Sequence, residues 1–360
     1  MKCAIIVGTR PEIIKMASVI KACQDLSVPF YVLHTGQHYS FNMDGAFFRD
    51  LDLPEPAYNL KVGSGQHGEQ TGRMLAEIEK VFQADRPGIA LVQGDTNTVL
   101  AGALAATKLH IPVGHVEAGL RSYDRKMPEE INRVVADHIS THLFPPTEKS
   151  RQLLLGEGIE ASKIYITGNT VADVVLNLIE HQRLEAARLK PFEVQPDRYV
   201  LVTAHRAENV DDPQRLAKLI QAIGDVAQKY GLVALYPCHP RTQARLKSMG
   251  MEMPSRIRLI EPVGLYDFLT LERFARIILT DSGGVQEEAC ICHVPCVTLR
   301  DSTERPETVD VGANLLAGIE PRDVMNATEQ MIGRDRNWGN PFGDGTAGRQ
   351  IVEIIRPLMS

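Results

Sequence analysis

No excess of basic residues is present: 45 acidic side chains stand against 39 Lys and Arg in 360 residues, a formal net charge of −6. A protein that grips nucleic acid through phosphate neutralisation needs the opposite balance, so the expected partner is a small molecule. Long apolar runs are missing as well. None approaches the roughly 20 residues that cross a bilayer. The opening run Cys3–Val7 stops at Gly8-Thr9-Arg10-Pro11 and reads as a first strand rather than a leader peptide. A cytoplasmic location without a membrane partner is expected. Cysteine is sparse: the six lie at 3, 23, 238, 290, 292 and 296. In a chain of this size outside the secretory pathway they read as reduced thiols. The tight group Cys290, Cys292, His293 and Cys296 lacks the paired spacing of a structural zinc site, and residues two apart at a helix end point different ways. Packing is expected there, with no metal and no cofactor. There is no internal sequence repeat.

What the chain does have is one pattern used many times: a short apolar, β-branched run, a polar or glycine turn, then a segment with helical spacing. Ile277–Leu279 stops at Asp281-Ser282-Gly283-Gly284 and a helix carrying Gln286, Glu287 and Glu288 follows. Glycines at such a junction let backbone approach a ligand, and the free N–H groups of the first turn form an anion site suited to a diphosphate. Glu288, one turn on, is a candidate for ribose hydroxyls. Arg300 and Arg305, after the next strand, are candidates to close over phosphates. The plain alternative is a simple chain turn with solvated charges.

The same logic recurs from the start of the chain. Gly8-Thr9-Arg10-Pro11 turns the first strand into a helix with Pro near its start, placing Arg10 and Lys15 about one turn apart near the sheet's carboxyl edge; taken alone they read more readily as ordinary surface cations. Ile89–Val92 ends at Gly94-Asp95, and the strand Pro112–Val116 ends at Glu117, each putting a carboxylate where open α/β sheets bind ligands. Glu129 and Glu130 begin a helix behind Pro128, where the dipole favours acids and accounts well for one of them. Ile164–Thr167 reads as one more short strand. Gly168-Asn169-Thr170 reads as a hinge, and the polar segment from Glu180 to Asp197 precedes a second alternating series that opens at Tyr199. In that series a strand ends at Ala204-His205-Arg206, and Phe268 lies on an amphipathic segment. The expected fold class is α/β, with two Rossmann-like domains. One half offers a diphosphate cradle and His205, the other carboxylates and two cations; a deep interdomain cleft between them would suit a nucleotide-diphosphate sugar.

Seven segments in order, GTRPEIIK (8–15), GDTNT (94–98), HVEAGLRS (115–122), PEEINR (128–133), AHRAEN (204–209), TDSGGVQEEA (280–289) and RDSTERPE (300–307), resemble the non-hydrolysing UDP-N-acetylglucosamine 2-epimerases. The resemblance implies a glycosyltransferase-B-like fold with a first domain over 1–169 joined by the terminal helix 346–360, and a nucleotide-binding domain over 170–345. It implies inversion at C2 of the sugar to UDP-N-acetylmannosamine, through elimination of UDP, a 2-acetamidoglucal and re-addition. By motif match Asp95, Glu117 and Glu129 are the acid-base candidates and His205 would stabilise the leaving phosphate. Arg10, Lys15, Ser282, Gly283, Gly284, Glu288 and Arg305 fall on nucleotide-sugar positions, and Phe268 on the uracil-packing one, where plain core packing explains it nearly as well. A homodimer is implied.

Three positions depart from the family pattern. Val263 stands where bacterial members tend to carry Gln beside the uracil. Ser40 and Gly65 replace a Gln and an Arg of the second, activating UDP-N-acetylglucosamine site, of which Gln37-His38 remains; weak or absent allosteric activation is therefore expected. HTGQHY (34–39), MPEEINR (127–133), HRAENVDDP (205–213) and CHPRT (238–242) also resemble epimerases of UDP-2,3-diacetamido-glucuronate. Retention of both GTRPE and TERPE puts UDP-N-acetylglucosamine ahead. A glycosyltransferase shares the fold, but it needs an acceptor cleft rather than an extra acid triad.

Overall fold

The computed structural model describes residues 1–37, 41–238 and 240–359. His38, Tyr39 and Ser40 of the expected activating segment, and His239, lie outside them. The chain forms two compact units, 1–174 with 342–360 and 175–341.

Each unit is built on a six-stranded parallel sheet. In the first, strands β1 (Cys3–Val7), β2 (Phe30–His34), β3 (Tyr58–Asn59), β4 (Ile89–Gln93), β5 (Val113–Val116) and β6 (His142–Phe144) lie in the order β3-β2-β1-β4-β5-β6. In the second, β7 (Tyr199–Thr203), β8 (Val233–Pro237), β9 (Ile257–Ile260), β10 (Ile277–Thr280), β11 (Cys296–Thr298) and β12 (Asn314–Leu316) lie in the order β12-β11-β10-β7-β8-β9. Both are the doubly wound arrangement, whose strand order reverses between β1 and β4 and between β7 and β10; ligands bind outside the carboxyl ends at that point. The central strands are buried on both faces, which is why they read as continuous apolar runs rather than alternating ones.

Local chemistry fixes the helices. Thr96 starts the helix Asn97–Lys108 by accepting from Thr98 N–H at 3.1 Å. Asp212 starts Pro213–Tyr230 by accepting from Gln214 N–H and Arg215 N–H, and Gly231, with φ of 64°, ends it. The helix Ala347–Ile355 receives its cap from the distant Asp173, whose carboxylate takes the N–H groups of Ala347 at 3.1 Å and Gly348 at 2.7 Å. A Cβ on Gly348 would lie 2.6 Å from the Ser18 backbone, so this helix sits directly on Arg10–Asp25.

One expected strand does not form. Ile164–Thr167 is not a strand: it makes a single bridge, Ile164 to Leu143, and runs on without a ladder. The polar segment before β7 contains a 3₁₀ helix, Ala186–Phe192, anchored by buried Leu189. No helix among the described residues is long and apolar enough to cross a membrane.

Candidate active site

In the first unit, polar groups gather at the carboxyl ends of β1, β4 and β5. Gly8 is required by packing: a Cβ there would lie 2.1 Å from Thr98 Oγ1 and 2.2 Å from Thr35 Oγ1. Glu12 accepts from the N–H groups of Gly8 at 2.6 Å and Thr9 at 2.8 Å and from the Thr96 hydroxyl, tying the end of β1 to that of β4. Burial pushes its carboxyl up to about 7. Arg10 opens the helix and lies over the Phe47 ring at 5.5 Å.

Lys15 and Glu117, 102 residues apart in sequence, meet here. The Lys15 ammonium is 2.8 Å from both Glu117 carboxylate oxygens, the Gln93 amide also donates to Glu117, and both charged side chains are buried. Glu117 has φ of 68°, an uncommon state for a non-glycine residue and one found often at functional sites. Asp95, partly exposed, is held by the Arg133 guanidinium. The Asn132 amide donates to the Asp95 carbonyl at 3.0 Å.

Structure gives a physical difference between the two adjacent acids, of which motif resemblance alone singled out Glu129. Glu130 is buried and accepts from Ser122 N–H, Ser122 Oγ, Tyr123 N–H and, at 3.0 Å, Arg133. Glu129 makes no hydrogen bond or ion pair among the described residues and is only half-buried. It lies one turn before Arg133 in the helix Pro128–Ile139, hence on the face that reaches Asp95.

In the second unit the pivot is Asp281, wholly buried, which sequence reasoning passed over as a turn residue. Its carboxylate accepts from His205 N–H at 3.1 Å, Arg206 N–H at 3.0 Å and the Asn209 amide at 3.0 Å, fixing the loop after β7 against the end of β10. The His205 imidazole itself is 59% exposed, with Nδ1 3.5 Å from Asp281. Ser282 precedes the helix Gly283–Ile291. Neither Gly283 nor Gly284 adopts a left-handed φ, and a Cβ would meet nothing closer than 3.7 Å and 4.0 Å respectively. The fold does not demand glycine at either position.

Arg305 is buried and donates to the carboxylate of Glu287. Arg300, expected beside Arg305 over the phosphates, is likewise buried and forms a bidentate pair with Glu304 at 2.9 and 3.1 Å. Burial alone would raise the Glu304 carboxyl, but Arg300, Arg305 and Arg206 together hold it far below the usual range. Phe268 packs on the core of this unit with Val263 and Phe274.

Glu288 has an unexpected neighbour. Glu272, on the helix Leu265–Arg273, is fully buried, and no donor among the described residues reaches either of its carboxyl oxygens. Burial first, then the charge of Glu288 and a hydrogen bond to it, push its carboxyl well above the ordinary value of 4.5, so the fold favours the protonated form of Glu272, which can donate a hydrogen bond to Glu288. The unfolded chain ionises first, hence stability falls as pH climbs from the ordinary carboxyl value toward the raised folded one. Glu272→Gln keeps a donor and removes the titration. Its melting temperature should exceed that of the parent by about 3 °C or more at pH 8 and match it at pH 4.5; a lower value at pH 8 refutes the assignment.

Two doubly wound parallel sheets of this order make the protein one of the glycosyltransferase-B-like α/β proteins. Within that class the chain belongs to the UDP-N-acetylglucosamine 2-epimerase family, whose model matches residues 21–356. A UDP-N-acetylglucosamine 2-epimerase of Methanocaldococcus jannaschii is 54% identical, with 99% of each chain covered. The crystal structure of M. jannaschii UDP-GlcNAc 2-epimerase in complex with UDP-GlcNAc and UDP superposes with a TM-score of 0.93 at 53% identity, covering 99% of both chains. A Pseudomonas aeruginosa UDP-2,3-diacetamido-2,3-dideoxy-D-glucuronate 2-epimerase is 40% identical over 99% of this chain and 100% of that one.

Proposed function

We propose that this chain inverts C2 of UDP-N-acetylglucosamine to give UDP-N-acetylmannosamine without releasing free sugar. The C2 proton has no adjacent carbonyl to acidify it, so direct deprotonation and reprotonation is hard. Anti elimination avoids this. A base takes the C2 proton, the C2–H electrons form the C1–C2 double bond, and the C1–O pair leaves with UDP. Re-addition of UDP to the 2-acetamidoglucal at C1 with proton delivery to the opposite face of C2 completes the inversion. Two faces require more than one acid or base.

The observation that carries this reading is Glu129, a carboxylate without a partner among the described residues, set on the helical face whose Arg133 holds Asp95. Asp95, Glu117 and Glu129 act at C2. Lys15 and Arg10 supply the positive charge beside them. His205, Arg305 and the first-turn N–H groups after Ser282 take up the charge that develops on the departing diphosphate, with Glu288 on the ribose and Phe268 against the uracil.

Proton NMR in D₂O tests the reaction: UDP-N-acetylglucosamine should gain deuterium at C2 while a UDP-N-acetylmannosamine anomeric signal grows and no free sugar forms. No exchange there, with exchange in UDP-2,3-diacetamido-glucuronate, would transfer the reading to that substrate.

The glycines give a second test. Ala is favoured over Gly in a helix by up to about 1 kcal/mol, and the fold leaves room for a methyl at Gly284. Gly284→Ala should keep or raise thermal stability while weakening UDP binding about tenfold or more by calorimetry. Unchanged UDP affinity would remove the diphosphate from this helix end.

A further inference from the structure

We propose that His115, buried under the ends of β4 and β5, is a positioning residue held as an imidazolium, and that its charge keeps Asp95 and Glu117 in place. The proposal rests on the reading of those two carboxylates as acid-base groups.

The geometry leaves the ring no neutral form that fits. Nδ1 lies 2.7 Å from a carboxylate oxygen of Asp137, and Nε2 lies 2.8 Å from the Gly94 carbonyl oxygen. Both neighbours only accept. A neutral imidazole carries one N–H, so either tautomer would aim a lone pair at an oxygen at hydrogen-bond distance in a site without solvent exposure. Two protons on the ring satisfy both contacts.

The charges around it balance. Asp137, from the helix Pro128–Ile139, uses its second oxygen to accept from the Arg121 guanidinium at 2.7 Å and from Gly119 N–H at 3.2 Å. Arg121, from the loop after β5, also pairs with Glu157 at 2.8 and 2.6 Å. Two cations thus face two anions. Burial by itself lowers the imidazolium's affinity for its proton, but the charge and hydrogen bond of Asp137 and the Gly94 carbonyl outweigh it, and the net direction is upward. Asp137 moves down for the matching reason, with His115 and Arg121 overcoming its burial.

This cluster grips both functional turns. The carbonyl that His115 binds belongs to the peptide joining Gly94 to Asp95, and Gly94 sits at φ of 83°, where a glycine peptide reorients without steric penalty. The N–H that Asp137 binds is that of Gly119, two residues after Glu117. Loss of the second proton would set a lone pair against the Gly94 oxygen and turn that peptide away, carrying Asp95 with it. Because the folded value lies above the ordinary 6.5, the stabilisation is fully present below 6.5 and disappears as pH rises through the folded value. UDP contacts in the second unit are untouched, so the effect falls on kcat rather than KM.

Two-bond proton–nitrogen NMR of protein labelled with imidazole-¹⁵N histidine reads the charge state without substrate. The buried ring, identified by its slowly exchanging N–H protons, should show two protonated nitrogens at pH 7.5. A neutral tautomer there overturns the proposal. In the C2 exchange assay the wild type should show an alkaline limb in kcat with KM nearly constant. His115→Gln keeps an amide N–H for the Gly94 carbonyl but does not titrate, so it should lose the limb and run about 10- to 100-fold slower. An unchanged limb in His115→Gln also overturns it. Lack of exchange in the wild type at every pH would count against the substrate reading alone, since the NMR result still decides the state of His115.

Discussion

Glu129→Gln is expected to lower kcat for C2 epimerisation by roughly 10³-fold, the range in which positioned acids and bases work, with melting temperature and UDP affinity nearly unchanged. Glu129 makes no hydrogen bond or ion pair among the described residues, so nothing in the fold depends on its charge. Its neighbour behaves in the opposite way. Glu130 accepts two backbone N–H groups and a hydroxyl from Ser122 and Tyr123 and pairs with Arg133, all buried or partly buried. Glu130→Ala strands those donors in a buried site and leaves Arg133 only its pair with Asp95; at about 1–3 kcal/mol per stranded donor, it should appear as a lowered denaturation midpoint. Parallel assays of the two variants by C2 deuterium exchange and chemical denaturation separate the roles. A stable, inactive Glu130→Ala beside an active Glu129→Gln would exchange their assignments.

The second large effect belongs to Asp281. Asp281→Ala removes the acceptor for His205 N–H, Arg206 N–H and the Asn209 amide in a site with no solvent exposure. Each stranded backbone donor costs about 1–3 kcal/mol, while the Asn209 amide keeps the Leu299 carbonyl, so a loss of about 2–6 kcal/mol is expected, with the loop after β7 detached from β10 and UDP binding abolished. His205→Ala provides the contrast. Its ring is largely exposed, so stability should hold while kcat falls. Equal stability of Asp281→Ala and wild type in urea unfolding would show that the loop is held by something else.

The architecture was readable because parallel strands covered on both faces announce themselves as short apolar runs, each stopped by a polar turn. The reading failed where length ran out. Ile164–Thr167 has strand composition but only one bridging partner, and β3 is two residues long. The placement of Asp95 and Glu117 directly after β4 and β5 follows from the same alternation. Pairings did not follow. Nothing local says that Lys15 meets Glu117 across 102 residues, or that Arg300 is consumed by Glu304 while Arg305 turns to Glu287. Local pattern did not distinguish Glu129 from Glu130, because both obey the helix-dipole preference; resemblance pointed to Glu129, and the physical difference lies in the backbone of Ser122 and Tyr123 that Glu130 accepts from. Asp281 was hidden inside a glycine turn that already had an explanation. His115 was hidden inside an apolar strand, where a histidine ordinarily reads as filler.

The cap that Asp173 places on the helix Ala347–Ile355 has a temporal meaning. The first unit comprises residues 1–174 and 342–360, with the whole of the second unit encoded between them. A ribosome therefore delivers every strand of the first sheet early but withholds the helix that covers Arg10–Asp25 until residues 175–341 have been synthesised. Domains usually mature in the order they emerge; here the later-made unit is complete in sequence before the earlier one is. During that interval the nascent chain carries an unshielded apolar helix face, and chaperone occupancy should peak there and drop once the terminal helix clears the exit tunnel.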